Sequence, residues 1–386
     1  MTTDRWHLIT GEYPPKPGGV GDYTALLAAE LAEVGSDVHV WTLKDQEVAA
    51  VAGVTVHRPL EGWSRLALAR LDEELDAFAS PRRLLVQYAP NVWGYKGMNI
   101  EFCRWLRRRR AKGDDVRVMF HEVWYPFQFR DKPTRWLLAL VHRLMTRTLM
   151  DACSSAYVSI PAWEPLLRAS ESGARKPITW LPVPSTIAPI DDSSAVTEIR
   201  RRFASGGQTI LGSFGTFGGL IGSMLLEILP RLLDRREDRV GLLFGRGSDR
   251  FVASLVAARP ELAGRLIAAG TLSRAEVSIY LQACDLLVQP YPDGLSSRRT
   301  SLMAGLAHGV ATVSNLGVLS EPVWGQSNGG VALASGADPV AVARTAESVL
   351  ACPVRRAELG AAGRALYRRE FAVDRTVEVL RGTPAD

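Results

Sequence analysis

Cysteine is scarce in this 386-residue chain: Cys103, Cys153, Cys284 and Cys352 lie far apart, and none forms a C-x-x-C pair beside histidines. That argues against a disulfide framework or a zinc site and fits a reducing cytoplasm. Histidine is nearly as rare, with six scattered copies, and no Asp-x-Asp pair closes a candidate strand, so no metal site is expected. No stretch stays apolar for the ~18 residues that a membrane span needs. The opening Met1–Trp6 includes Asp4 and lacks the charged region and apolar run of an export signal, so a cytoplasmic chain is expected. Charge of one sign is missing too. Forty-six Lys and Arg stand against 41 Asp and Glu, and a net charge of +5 on this length implies no nucleic-acid partner.

What is present is apolar content of 47% spread over more residues than one core normally organises, so two domains are expected. Short runs rich in Val, Ile and Leu alternate with longer segments of helical period, the pattern of parallel strands covered by helices. In the first half the runs are 7–10, 38–43, 54–57, 84–88, 117–121, 156–160 and 178–181; in the second they are 209–214, 240–244, 266–269, 286–289 and 311–314. Tyr23–Val34 carries apolar residues at helical spacing and stops at Gly35. Between the halves, Pro182–Ser194 is rich in Pro, Ser and Asp without a sustained period. The expected architecture is α/β with two Rossmann-like, doubly wound domains. One spans 1–185 and is completed by 368–386, a linker covers 186–205, and the other spans 206–367.

Doubly wound sheets bind ligands beyond the carboxyl ends of their strands, so two such domains facing each other would converge on one cleft. Four loops there carry chemistry. After the first strand, Gly11–Tyr23 holds Lys16, Gly18, Gly19, Gly21 and Asp22 just before a helix. Such a loop offers main-chain N–H groups and a helix N-terminus to an anion, Lys16 adds charge, and Asp22 suits sugar hydroxyls or a helix cap. A tight strand-to-helix turn explains the same glycines. A second strand ends at His121 and runs into Glu122, Trp124, Tyr125, Pro126 and Phe127, polar and aromatic groups that suit a carbohydrate or a plain core. A third loop offers Gln87, Tyr88 and Asn91. The fourth, in the second half, brings Asp293, Ser296, Ser297, Arg298, Arg299 and Ser301 together. There the two serines are expected to cap a helix whose first N–H groups face a diphosphate, with an arginine fork on its oxygens. A solvated arginine pair is the plainer alternative.

These phrases resemble a known family. K-x-G-G-x-G-D is similar to the glycine loop of glycogen and starch synthases, and the H-E-x-W-Y-P phrase and the 280–314 segment resemble retaining glycosyltransferases of family 4, which have the GT-B fold. The resemblance implies that Lys16, Gly18 and Gly19 face the donor diphosphate, that Asp22 faces sugar or acceptor, and that His121 contacts the donor sugar near the reacting centre. It makes His121, Asp293 and Asp22 the catalytic candidates. Gln87, Tyr88, Asn91, Trp124 and Tyr125 become candidate acceptor contacts. It also implies that Phe371–Arg381 is a helix crossing back onto the first domain. The chain departs from the family twice. Ser301 stands where a glutamate usually clasps ribose, and Phe214–Gly219 lacks the usual arginine and lysine, so Arg246, Arg298 or Arg299 would have to meet the phosphates.

The expected function is transfer of a sugar from a nucleotide-sugar donor to a small-molecule, saccharide or lipid-linked acceptor. Retention, independence of metal and the absence of a cofactor come from the family. The two departures also fit a binding protein that has lost catalysis, and the architecture fits a nucleotide-sugar epimerase. A basic run, Arg104–Lys112, which includes Arg107, Arg108, Arg109 and Arg110, offers peripheral membrane contact or a solvated helix end.

Overall fold

Every strand expected from an apolar run is present in the computed structural model, which describes residues 4–44, 51–125, 132–326 and 330–382. The chain divides into one unit of residues 1–182 with 373–386 and a second of residues 183–372.

The first unit is built on seven parallel strands: β1 (Arg5–Thr10), β2 (Asp37–Leu43), β3 (Val54–Leu60), β4 (Arg83–Tyr88), β5 (Asp115–Phe120), β6 (Ser155–Val158) and β7 (Ile178–Trp180). Their order in the sheet is β3-β2-β1-β4-β5-β6-β7. The chain winds outward from β1 to β3 and then crosses back to β4, so the switch point lies between β1 and β4. The connecting helices are α1 (Gly19–Glu33), α2 (Arg65–Asp76), α3 (Ile100–Ala111), α4 (Pro133–Ala152), α5 (Glu164–Arg168) and α6 (Glu171–Arg175). The core packs Trp41, Trp93, Trp105, Phe102 and Phe120, all fully buried. Helical period turns one residue of the basic run inward. Arg109 is completely buried and paired with Asp114 at 2.6 Å, Asp76 at 2.7 Å and Asp72 at 3.0 Å, while Arg108 holds Glu101 at 2.8 Å. Much of that run is therefore committed to ion pairs inside the unit. Among the described residues, no helix is long and apolar enough to cross a membrane.

The second unit repeats the winding with β8 (Thr209–Phe214), β9 (Arg239–Phe244), β10 (Leu266–Gly270), β11 (Leu286–Val288), β12 (Thr312–Asn315) and β13 (Ala332–Ala334). The order is β10-β9-β8-β11-β12-β13, all parallel, with its switch point between β8 and β11. β13 was not expected, because three residues, two of them alanine, give no strand signal. The helices are α7 (Ser193–Phe203), α8 (Gly219–Leu233), α9 (Ser248–Ala258), α10 (Arg274–Ala283), α11 (Thr300–Ala307), α12 (Val323–Gln326), α13 (Pro339–Leu350) and α14 (Pro353–Glu370).

The stretch expected as a linker, 186–205, differs from that reading. Asp192 caps α7 by accepting from the Ala195 amide at 2.9 Å, and Arg200 donates to the Ala283 carbonyl at 2.7 Å, which fastens α7 to the end of α10. Ile187 is buried with Val277 and Tyr280 in the core of the second unit. Polar composition there reflects a cap and an exposed helix face. The returning helix, α15 (Val373–Arg381), belongs to the first unit. It packs on α1, the Leu380 carbonyl accepts from Arg117 at 2.9 Å, and Arg381 reaches Asp4 at 3.2 Å.

Candidate functional site

In the second unit the β8–α8 turn must leave a strand and enter a helix within four residues. Gly215 (φ +144°) and Gly219 (φ +58°) take backbone conformations that a side chain would strain, and a Cβ on the neighbouring Gly245 would collide with the Gly215 carbonyl. The turn is tied to the next strand across the switch point by Gln289, which donates to the Phe214 carbonyl at 3.0 Å. Asn315, at the end of β12, exchanges hydrogen bonds with the Tyr291 main chain at 2.9 and 2.8 Å. Between these supports lies a cavity of about 240 Å³, bounded by the β8–α8 turn, Gln289, Tyr291 and the segment Arg298–Ser301 that opens α11.

Polar groups converge on it. The Tyr291 hydroxyl meets Ser301 Oγ at 3.0 Å, and burial pushes the phenol up to about 12, so it stays protonated near neutrality. The Arg299 guanidinium lies 4.7 Å over the Tyr291 ring. Asp293 accepts from Arg298 at 3.0 Å and also from Arg299. Two guanidinium groups on one carboxylate leave a net positive site at the first turn of a helix, which favours anions.

Two expectations here are corrected. Ser296 and Ser297 do not cap α11: its N-cap is Arg299, and both serines are buried. Ser297 is turned the other way, its amide and hydroxyl donating to Glu321 Oε1 at 2.7 and 2.6 Å, while Trp324 Nε1 donates to Glu321 Oε2 at 2.5 Å. Glu321 thus holds the loop behind the arginines, and burial raises its pKa. Arg246 is exposed in the β9–α9 loop and does not line the cavity.

In the first unit the glycine loop closes around its own chain. The Glu12 carboxylate accepts from the amides of Val20 at 3.0 Å and Gly21 at 3.2 Å, the first turn of α1. A Cβ at Gly18 would collide with that carboxylate, so Gly18 makes room for Glu12, whereas Gly19 faces open space. The anion expected at this helix end is thus supplied internally, at least for two amides. Lys16 is exposed beside a void of about 10 Å³ shared with Tyr13 and Arg58, too small for a phosphate. Asp22, half-buried, follows in the first turn of α1.

His121 sits just past β5, buried, with Nε2 at 2.9 Å from Gln87 Oε1 and its ring edge-on to Tyr23 at 4.9 Å. An amide oxygen only accepts, so Nε2 carries the proton and Nδ1 is left as the acceptor. Burial pulls the imidazole down to about 3, so it is neutral near pH 7. Gln87 and Tyr88 are corrected as acceptor contacts. Both are completely buried, Gln87 against His121 and Tyr88 against Phe120 at 5.3 Å, because they end a strand covered on both faces. Asn91 is exposed; Trp124 and Tyr125 are half-buried, with Arg143 and Arg135 over their rings at 5.0 and 5.8 Å. Residues 126–129 of this phrase lie outside the described residues.

No protein-family model and no curated protein match the chain. Solved structures do. HepE of Anabaena, in complex with UDP and glucose, is 13% identical with a TM-score of 0.71 over 98% of each chain. Sucrose-phosphate synthase of Thermosynechococcus elongatus is 16% identical with a TM-score of 0.69 over 98% of each chain. The α,α-trehalose 6-phosphate synthase of Burkholderia multivorans is 14% identical with a TM-score of 0.68 over 99% of this chain and 96% of that one. The fold is that of GT-B glycosyltransferases.

Within that GT-B fold, three residues of the second-unit site escaped the sequence. Gln289 and Tyr291 follow β11 directly, and their position at a strand end was the available signal. Glu321 lies in a loop far along the chain, and nothing local marks it. Glu12 of the first unit escaped because the adjacent glycines read as a ligand loop.

Proposed function

We propose that this chain is a glycosyltransferase that moves a sugar from a nucleoside-diphosphate donor to an acceptor, with retention of configuration as in family 4, without a resident metal or cofactor, in the cytoplasm. The observation that carries the reading is the switch-point cavity of the second unit, where Arg298, Arg299 and the first turn of α11 meet. As the bond from the anomeric carbon to the diphosphate oxygen breaks, the leaving group gains negative charge, and fixed amides and guanidinium groups stabilise that charge. The acceptor oxygen bonds the anomeric carbon, and its proton passes to the departing phosphate. The arginines exchange Asp293 for phosphate oxygens, which frees the carboxylate for sugar hydroxyls. His121, neutral, offers a hydrogen bond to the sugar and no charge.

HepE, similar in fold, is captured with UDP and glucose, so UDP is the first nucleotide to test. Calorimetry should show UDP binding to the intact chain and about tenfold weaker binding after Arg298→Ala or Arg299→Ala, the loss expected for one charge-assisted hydrogen bond. Equal affinity in both variants removes the diphosphate from this cavity. A second reading is a nucleotide-binding protein without turnover, favoured by the hold of both arginines on Asp293. Binding of UDP-sugars with neither hydrolysis nor transfer across an acceptor panel would select it.

A further inference from the structure

One cavity of the first unit takes no part in the proposed transfer. It measures about 440 Å³ and opens at the carboxyl edge of the sheet, between the turn that follows β3 and the segment that follows β4. Glu61, Trp63, Leu66 and Arg70 line one side, and Gly94 and Tyr95 line the other.

Its walls are fixed. Asn99, buried at the N-cap of α3, donates to the carbonyls of both Trp63 and Trp93 at 2.9 Å, which clamps the two loops together. The Trp63 ring meets Trp93 edge-on at 4.7 Å, and Trp93 stacks on Phe102 at 3.9 Å. Ser64 caps α2 from below by accepting from the Ala67 amide at 3.2 Å.

Against this rigid frame stand three groups with no structural duty. Glu61 and Arg70 are exposed and make no hydrogen bond or ion pair among the described residues. Tyr95 is 60% exposed and holds φ at +49°, within four successive left-handed residues from Gly94 to Gly97. For Tyr95 and Lys96 that conformation costs about 1–2 kcal/mol each, and such strain concentrates where a side chain must be presented to a ligand. An exposed ring, a carboxylate and a guanidinium converging on one rigid hollow match the chemistry of a sugar. Its apolar face packs on an aromatic ring, and its neighbouring hydroxyls donate to a carboxylate and accept from a guanidinium.

We infer that this cavity binds carbohydrate, with a neutral saccharide ring against Tyr95 and its hydroxyls on Glu61 and Arg70. As an acceptor seat the inference rests on the proposed glycosyl transfer; as a sugar site it stands alone. The test is saturation-transfer NMR on the intact chain with the methyl α-glycosides of glucose, mannose and galactose, with UDP titrated in parallel. At least one glycoside should bind, and its affinity should drop about fivefold or more in Tyr95→Ala and in Arg70→Ala. Both side chains are exposed, and unchanged UDP affinity and melting temperature would show that the fold persists. Leu137→Ala, at an exposed position on α4, should leave glycoside binding unchanged. Absence of binding by all three glycosides, or binding indifferent to Tyr95 and Arg70, overturns the inference. Failure of UDP to bind while a glycoside does would overturn the proposed function and leave the sugar site standing.

Discussion

A single histidine shows how far residue type alone reaches. His121 was expected at the reacting centre from the resemblance of its H-E-x-W-Y-P phrase to family 4, and the structure buries it against Gln87 as a neutral hydrogen-bonding group. Replacing it by alanine leaves Gln87 Oε1 without its donor in a buried setting, so His121→Ala should lose about 1–3 kcal/mol of stability in denaturant titration. If it also touches the donor sugar, transfer should slow by about tenfold or more at saturating donor, the worth of one lost hydrogen bond in the transition state. A full rate in a destabilised variant would make His121 a packing residue. The same limit explains Ser297. Its sequence position beside two arginines suggested a phosphate contact, yet a carboxylate twenty-four residues further along takes both its donors. Pairings of that kind are set by loop geometry, which no local pattern reports.

Elements were far easier to read than the contacts among them. Strands announce themselves through uninterrupted Val, Ile and Leu because both faces of a parallel sheet are covered, and β13 was missed because alanine is not a strand former. α7 was read as linker because the Pro-, Ser- and Asp-rich approach to it masked a short apolar stripe, in which Ile199 and Phe203 pack only partly buried against the core of the second unit. At α1 the ambiguity was chemical: a helix N-terminus beside glycines attracts an anion from either a ligand or the chain itself. Glu12 is that anion for two of the amides. Glu12→Gln should therefore destabilise the chain by about 0.5–2 kcal/mol, as lost helix caps do, measured by thermal melting. It should also leave UDP affinity unchanged if the diphosphate docks on the second unit alone. Tighter UDP binding in that variant would instead show that Glu12 competes with a phosphate for α1.

Across the whole molecule, all six histidines are drawn below the ordinary value of 6.5, with burial the leading cause in each case. His7 and His121 fall to about 3 and His57 to about 4. Between pH 6.5 and those values the unfolded chain binds protons that the folded chain refuses, so stability is intact above 6.5 and declines as pH falls through that window. The melting temperature should drop steadily from pH 7 to pH 4.5. His7→Asn, which keeps an acceptor for Trp41 Nε1 where His7 Nδ1 now stands at 3.1 Å, should make that decline shallower. A profile flat to pH 4.5 would contradict the burial of these rings. Connectivity has a consequence of its own. Because α15 follows the whole second unit along the chain yet rests against α1, the first unit can be completed only after residues 183–372 have been made. A second unit that is contiguous in sequence can therefore close while the first still waits for its final helix.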